Sequence, residues 1–456
     1  MWLLPALARV SAFATTVYYR FTVAGGEVPR TGPVLLVANH PNSLLDPAMV
    51  AAAARRPVRF LAKAGLFSHP AVGWLVRGAG AIPVYRQQDD PSQVRRNTEM
   101  FRAVHSALAD GAAVGIFPEG ISHNFPAMAP LKTGAARIGL GAATLIGRTF
   151  PIIPIGLVVR DKGTFRSAAL AIVGAPVEWG DIALAGADSG AAVRELTARI
   201  DTAIRETTVN LEQWEDAPLV ECAEAIHAAE LGAASDPLSR HERVRDTARI
   251  LQILRHSGDP RWEPLAADVR AHDRALAKLG LRPKDLGEPP RVRAALGWTL
   301  RRLPLMAVVA SGVAAVGTAV FWVPYRLTDV VSKLGNPNED TLSTHKVLGG
   351  ALIFVLWMVL CAVLVGAAAG AWWGILAFVV LPALALGTLA IIERWQDAWT
   401  DARRFFRLRR RDELLVELRE TQRTLALRLE DVREHSPPLS AAPAIRPSAG
   451  VARNSQ

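Results

Sequence analysis

Two long uncharged stretches dominate the polarity pattern of the C-terminal third. Leu303 to Tyr325 carries no charged residue, and neither does Val347 to Ile392, a run of 46 positions. A helix rises about 1.5 Å per residue and a bilayer's hydrocarbon core is about 30 Å thick, so the second run is long enough for about two crossings. Gly366-Ala367-Ala368-Ala369-Gly370 offers a tight turn near its middle. The N-terminal stretch from Met1 to Tyr19 is also mostly apolar, and Ala12-Phe13-Ala14 resembles a signal-peptidase site. No basic segment precedes it and Arg9 interrupts it, so residues 1–24 are expected to form an interfacial helix with Tyr18, Tyr19 and Arg20 at headgroup level.

Between these regions the periodicity changes to alternating short apolar runs and helical spacings. Pro33–Ala38, Arg59–Lys63, Ile82–Tyr85, Ala113–Phe117, Pro151–Val159 and Ala169–Val173 read as strands. Ser92–Ala109 and Ala135–Leu145 read as helices, and Asp46-Pro47 reads as an Asp N-cap with Pro at the first helical position. Strands alternating with helices predict an α/β domain over residues 25–214. Residues 215–302 lose the strand pattern and read as a linker region of two to four amphipathic helices. Residues 303–392 form the apolar region, 393–435 a basic amphipathic helix, and 436–456 a disordered tail rich in Pro, Ser and Ala.

Charge sharpens this. Lys plus Arg number 52 against 42 Asp plus Glu, a net charge of +10, which favours an anionic partner such as a phospholipid surface or a phosphorylated substrate. No motif supports nucleic-acid binding. Cys222 and Cys361 are the only cysteines, which excludes a disulfide framework and leaves no thiolate metal site. The arginines from Arg403 to Arg411 either meet anionic headgroups, at about 1 kcal/mol each, or line a solvated helix face. Basic residues flank the apolar region on both sides (Arg291, Arg293, Arg301, Arg302 before it), so the positive-inside tendency asks for an even number of crossings. Leu303–Tyr325, bounded by Pro304 and Pro324, is therefore expected to be re-entrant or interfacial beside a two-span hairpin at 347–392. The α/β domain and C-terminal tail are expected on the cytoplasmic side of an integral membrane protein.

The candidate chemistry lies in two blocks, Asn39-His40-Pro41-Asn42-Ser43-Leu44-Leu45-Asp46-Pro47 and Phe117-Pro118-Glu119-Gly120-Ile121-Ser122-His123. On one helix His40 and Asp46 would point about 240° apart, so they meet only across a turn, which Pro41-Asn42-Ser43 can supply. A carboxylate on one imidazole nitrogen leaves the other free to take a proton from an attacking hydroxyl. Taken singly, Asp46 is equally a plain helix start and His40 a polar strand end. No Gly-x-Ser-x-Gly nucleophile elbow occurs. His69 and His105 read as structural, while His123 either helps an acceptor site or caps the turn.

Four blocks in order carry a resemblance: Asn39-His40 with Asp46, Gly80-Ala81-Ile82-Pro83-Val84-Tyr85-Arg86, Phe117-Pro118-Glu119-Gly120, and Pro151-Ile152-Ile153-Pro154-Ile155. Over residues 25–180 the chain resembles the PlsC-like glycerolipid acyltransferases. That resemblance implies an α/β acyltransferase domain with a mixed sheet flanked by helices. It implies acyl transfer from acyl-CoA or acyl carrier protein to glycerol 3-phosphate or 1-acylglycerol 3-phosphate, with no metal or cofactor. His40 is then the base and Asp46 its orienter. Arg86 binds the acceptor phosphate, and Glu119, Gly120 and Ser122 shape the acceptor site. Two departures stand out: five residues rather than four separate His40 from Asp46, and Ile121-Ser122-His123 replaces Thr-Arg-Ser. Both resemble the fungal glycerol-3-phosphate/dihydroxyacetone-phosphate acyltransferase subgroup and its bacterial relatives. Lys132 is the candidate substitute for the missing arginine, or else a solvated surface lysine. Another lysolipid acceptor, and a non-catalytic lipid-binding protein on the same fold, are the remaining alternatives.

Overall fold

The structure, a computed structural model, describes residues 4–69, 72–85, 91–234, 236–286, 292–334, 339–408 and 412–435. The N-terminal part comprises α1 (Leu4–Tyr18), β1 (Arg20–Gly25), β2 (Val34–Ala38), α2 (Leu45–Ala54), β3 (Val58–Lys63), α3 (Gly65–Ser68), α4 (Gly73–Gly78) and β4 (Ile82–Val84). It continues through α5 (Asn97–Ala109), β5 (Ala113–Ile116), α6 (Gly134–Ile146), β6 (Ile152–Val159), β7 (Ala168–Val173) and α7 (Gly190–Glu206). The expected strands are all present. Residues 20–24 differ from expectation: they leave the N-terminal helix and form β1, pairing in parallel with β7 from Arg20↔Ala168 to Gly25↔Val173. The partner strand lies about 150 positions downstream, so no local pattern announced the pairing.

The sheet has seven strands in the order β1-β7-β6-β2-β5-β3-β4. β6, β2, β5, β3 and β4 are mutually parallel, while β7 runs antiparallel to β6 and carries β1 with it. Successive strand residues face opposite sides. Leu35, Val37, Val114 and Ile152 pack one face against α5, α6 and α7. Val34, Leu36, Ala38, Ile153 and Ile155 pack the other against α2 and the end of α1. Both faces are covered, as parallel strands require.

This topology positions the site. β2 and β5 are adjacent and parallel, so the segments after Ala38 and Ile116 leave the sheet side by side. Because β1 and β7 run the opposite way, the residues that precede them, Tyr19 and Ser167, reach the same edge.

Residues beyond the α/β domain form α8 (Ala217–Leu231), α9 (Pro237–Ser257), α10 (Trp262–Leu279), α11 (Val292–Ser332), α12 (Glu339–Ala369), α13 (Ala371–Leu408) and α14 (Asp412–His435). Helices α8, α9 and α10 share an apolar core with α14, in which Leu425, Leu429 and Val432 meet Leu219, Ile226, Leu251 and Trp262. The region expected as a linker thus has its own core, closed by the far C-terminal helix. Helices α11, α12 and α13 contain apolar stretches of 25, 29 and 26 residues (Val308–Ser332, Thr341–Ala369 and Ala371–Gln396), each long enough to cross a bilayer. Their outward surfaces are apolar: Val308, Leu352, Val379 and Trp372 are all exposed. Helix α11 runs unbroken through Pro304 and Pro324. Gly370, at φ +104°, makes the reversal between α12 and α13 in the expected segment. Arg409, Arg410, Arg411 and the tail at 436–456 lie outside the described residues.

Candidate active site

His40 stands two positions after the end of β2, and its ring is held from two sides. Nδ1 lies 2.7 Å from Oδ2 of Asp46, and the ring stacks on Phe117 at a centroid separation of 4.1 Å and an interplanar angle of 13°. The Asp46 carboxylate sets the proton on Nδ1, so Nε2 is the free, basic nitrogen. Nε2 has no hydrogen-bond partner among the described residues, and the side chain is about 20% exposed. The arrangement suits proton abstraction from a hydroxyl arriving from outside.

Asp46 is fully buried. It is not the N-cap that Asp-Pro suggested: α2 begins at Leu45 with Leu44 at the cap position. The carboxylate turns back instead of into the helix, and Oδ2 accepts the Asn42 N–H at 2.7 Å as well as the His40 ring. Burial pushes the Asp46 carboxyl above its ordinary range, while the contacts to His40 and Asn42 pull it down. Oδ1 is buried without a partner among the described residues. The turn that brings base and carboxylate together passes through Ser43 at φ +50°, a conformation few non-glycine residues adopt. It is braced by the Ser43 N–H donating to Ser122 Oγ at 3.0 Å.

Glu119 joins the two blocks. It is 2% exposed, with Oε1 accepting the His40 N–H at 2.9 Å and Oε2 accepting the Ala129 N–H at 2.7 Å. His123 Nε2 also lies 2.5 Å from Oε2, and its Nδ1 accepts the Phe125 N–H at 3.1 Å. These partners assign the proton to Nε2, so His123 fastens the turn to Glu119. A further bond, His123 N–H to the His40 carbonyl at 3.2 Å, ties the two loops directly. Glu119 therefore shapes the site by fixing its walls, with its lone pairs turned inward to the protein.

The remaining expected residues separate. Gly120 has φ +71°, and a methyl group placed on it would lie 2.8 Å from Lys132 Nζ, so the exposed Lys132 ammonium rests directly on this turn. Lys132 N–H donates to the Pro118 carbonyl at 2.8 Å, which keeps its backbone beside the Pro-Glu-Gly segment. Ser122 braces Ser43. Arg86 lies outside the described residues, although Tyr85 just before it is pinned by Asn97, whose amide accepts the Tyr85 N–H and donates to its carbonyl. Asn39 spans to β6 by a double hydrogen bond with the Leu157 backbone, at 3.0 and 2.7 Å. His105 packs on Gly141 of α6, and burial lowers its pKa, which fits a structural residue.

Sequence reasoning missed a buried chain behind the loop. Ser343, at the start of α12, donates to Asn42 Oδ1 at 2.5 Å. Asn42 Nδ2 donates to the Tyr19 hydroxyl at 2.8 Å, and that hydroxyl donates to the Lys162 carbonyl at 2.9 Å. Tyr19, Asn42 and Ser343 are each 0% exposed. The polar Asn42 between His40 and Asp46 was the one available signal; nothing local marked Tyr19 or Ser343. Nearby, Lys346 donates to the Gly163 carbonyl at 2.7 Å. Arg166 meets Glu393 of α13 at 2.6 and 3.0 Å, and Phe165 meets Tyr325 of α11. The apolar helices thus hold the edge of the sheet that carries His40 and Glu119 through the β6–β7 connection.

Residues 20–158 match the Acyltransferase family model. Over 82 residues the chain is 40% identical to glycerol-3-phosphate O-acyltransferase 2 of Saccharomyces cerevisiae, covering 18% of this chain and 11% of that protein. Over 283 residues it is 25% identical to glycerol-3-phosphate O-acyltransferase 1 of the same yeast, covering 57% and 37%. A 1-acyl-sn-glycerol-3-phosphate acyltransferase of Chlamydomonas reinhardtii is 32% identical over 151 residues, covering 31% and 43%. The chain spans less than half the length of each of these relatives.

Proposed function

Residues 20–158 match the Acyltransferase family model, and we propose that this is a PlsC-like glycerolipid acyltransferase domain and that the chain is a membrane-bound O-acyltransferase of phospholipid synthesis. It moves a fatty acyl group from acyl-CoA or acyl carrier protein to a hydroxyl of glycerol 3-phosphate or 1-acylglycerol 3-phosphate. The observation that carries this reading is the His40–Asp46 pair, 2.7 Å apart on a buried carboxylate, with Nε2 turned away from it. Lipid binding alone needs no base held in one tautomer.

In the proposed reaction Nε2 of His40 takes the proton of the acceptor hydroxyl as its oxygen attacks the thioester carbonyl. The imidazolium formed is stabilised by Asp46, and the tetrahedral intermediate collapses by breaking the carbon–sulfur bond. His40 returns the proton to the leaving thiolate. Lys132, beside Gly120, supplies charge for the acceptor phosphate, and Arg86 is assigned the same task from the resemblance. A lysine offers a point charge where an arginine would offer a two-pronged contact, so the phosphate is held with less angular constraint. The three apolar helices keep the catalytic edge at the bilayer surface, and the active site faces the cytoplasm.

The test is direct. Purified full-length protein is given labelled acyl-CoA or acyl carrier protein with glycerol 3-phosphate, 1-acylglycerol 3-phosphate and other lysolipids. Transfer to a phosphorylated glycerol acceptor, abolished by His40→Ala in a folded protein, is the expected result. Near-wild-type turnover by His40→Ala refutes the mechanism, and transfer to only unphosphorylated acceptors refutes the acceptor assignment.

A further inference from the structure

Among the described residues, the contacts that tie the C-terminal apolar helices to the α/β domain include one hydrogen bond that reaches the loop between His40 and Asp46 itself. Lys346, Glu393 and Tyr325 all bind the connection between β6 and β7 at residues 163–166. Ser343 instead binds Asn42, 301 positions away in the chain and between His40 and Asp46. Asn42 does two things at once. Its backbone N–H holds Asp46 Oδ2 at 2.7 Å, and its side-chain amide is fixed at one end by Ser343 and at the other by Tyr19. The donors run in a single direction, from Ser343 to Asn42 to Tyr19 to the Lys162 carbonyl, so each group has the partner its chemistry requires. All three side chains are shut off from water, and a broken bond there would find no solvent replacement.

We infer that Ser343 is a positioning residue for the His40–Asp46 pair, and that docking of the C-terminal apolar helices completes the catalytic loop. When Ser343 is in place, the Asn42 amide has one orientation and its backbone N–H points at Asp46. When Ser343 is absent, the Asn42 carbonyl oxygen is buried without a donor. The loop must rotate to satisfy it, and Asp46 loses the N–H that fixes the oxygen facing the imidazole. The α12 helix therefore acts on proton transfer without touching a reacting atom. The inference rests on the acyl-transfer reading for its kinetic consequence, but its geometric consequence at His40 does not.

The experiment uses the full-length protein in nanodiscs and two readouts. One is kcat and KM for acyl transfer. The other is the pH midpoint of His40 modification by diethyl pyrocarbonate, read by mass spectrometry, which needs no turnover. Ser343→Ala is expected to lower kcat about tenfold with KM changed less than about twofold, the pattern of a lost transition-state interaction. It is also expected to move the His40 midpoint to lower pH, because a misplaced Asp46 stabilises the imidazolium less. Ser343→Thr, which keeps the hydroxyl, is expected to restore both. Should Ser343→Ala not fold, Ser343→Cys replaces it, since a thiol is a weaker donor of similar size. An unmoved His40 midpoint overturns the inference, whether or not kcat falls. A moved midpoint in Ser343→Ala, with a wild-type protein that transfers no acyl group, leaves the positioning intact and overturns the functional reading instead.

Discussion

The backbone N–H of His40 donates to Glu119 at 2.9 Å, so the Pro-Glu-Gly block holds the base by its main chain while Asp46 holds it by its ring. The two motifs, about eighty residues apart in sequence, are therefore one constellation with two carboxylates in different tasks. One sets a tautomer. The other fixes the position of the residue that carries it, and both are buried.

Asp46→Asn separates activity from stability. The amide cannot act as the anionic partner of the Nδ1 proton, and kcat is expected to fall on the order of 10²–10⁴-fold. Stability moves differently. Burial raises the Asp46 pKa in the folded protein. A carboxyl with a raised folded pKa contributes stability fully below the unfolded value near 3.8, and that contribution is lost as pH rises through the folded pKa. At neutral pH the charge is a cost that Asn removes. Thermal unfolding of Asp46→Asn at pH 7 is expected at or above the wild-type temperature, with less dependence on pH across the acidic range. A clear drop in Tm would contradict this.

Glu119→Gln should lower stability as well as activity. Its carboxylate accepts from His40 N–H, Ala129 N–H and His123 Nε2–H, and a primary amide presents an N–H to at least one of those donors. One buried mismatch costs about 1–3 kcal/mol. Both Tm and kcat are expected to fall, and differential scanning calorimetry beside the acyl-transfer assay checks it.

Lys132→Gln is expected to raise KM for a phosphorylated acceptor about tenfold, with kcat nearly unchanged and Tm little moved, because the exposed ammonium rests on the Gly120 turn and a Gln keeps most of that stem while losing the charge proposed to meet the phosphate. An unphosphorylated acceptor should show no change. The comparison of the two acceptors is the check.

The proposed membrane arrangement makes a prediction about sidedness. Lys333, just after α11, and Arg160, after β6, are both well exposed, and Ser343 of α12 is bonded to Asn42 beside His40. In a background with Cys222 and Cys361 replaced, Lys333→Cys and Arg160→Cys should react with a membrane-impermeant maleimide from the same side. Labelling from opposite sides would contradict the docked arrangement.

Much of the site was legible because it is local. His40, Asp46, Glu119 and Gly120 stand in short blocks whose spacing already requires a turn, and the strands before them are apolar runs that need no long-range partner to be recognised. The illegible parts are those made by topology. β1 exists because β7, about 150 positions away, offers it an edge. Asp46 reads as a helix cap because the sequence cannot show that its carboxylate is drawn back to Asn42. Residues 215–302 read as a linker because part of their core, including Leu425 and Leu429, comes from the last helix. Ser343 precedes an apolar run as many serines do, and only the folded chain places it on Asn42.

The distance along the chain between Asn42 and Ser343 also sets a clock. At ribosomal rates of about 5–20 residues per second, roughly 15–60 s pass between the synthesis of the catalytic loop and that of the hydroxyl that secures it. During that interval the nascent α/β domain has its base and carboxylate but not their brace. Under the positioning role proposed for Ser343, the His40–Asp46 pair is complete only after α12 has been made and docked.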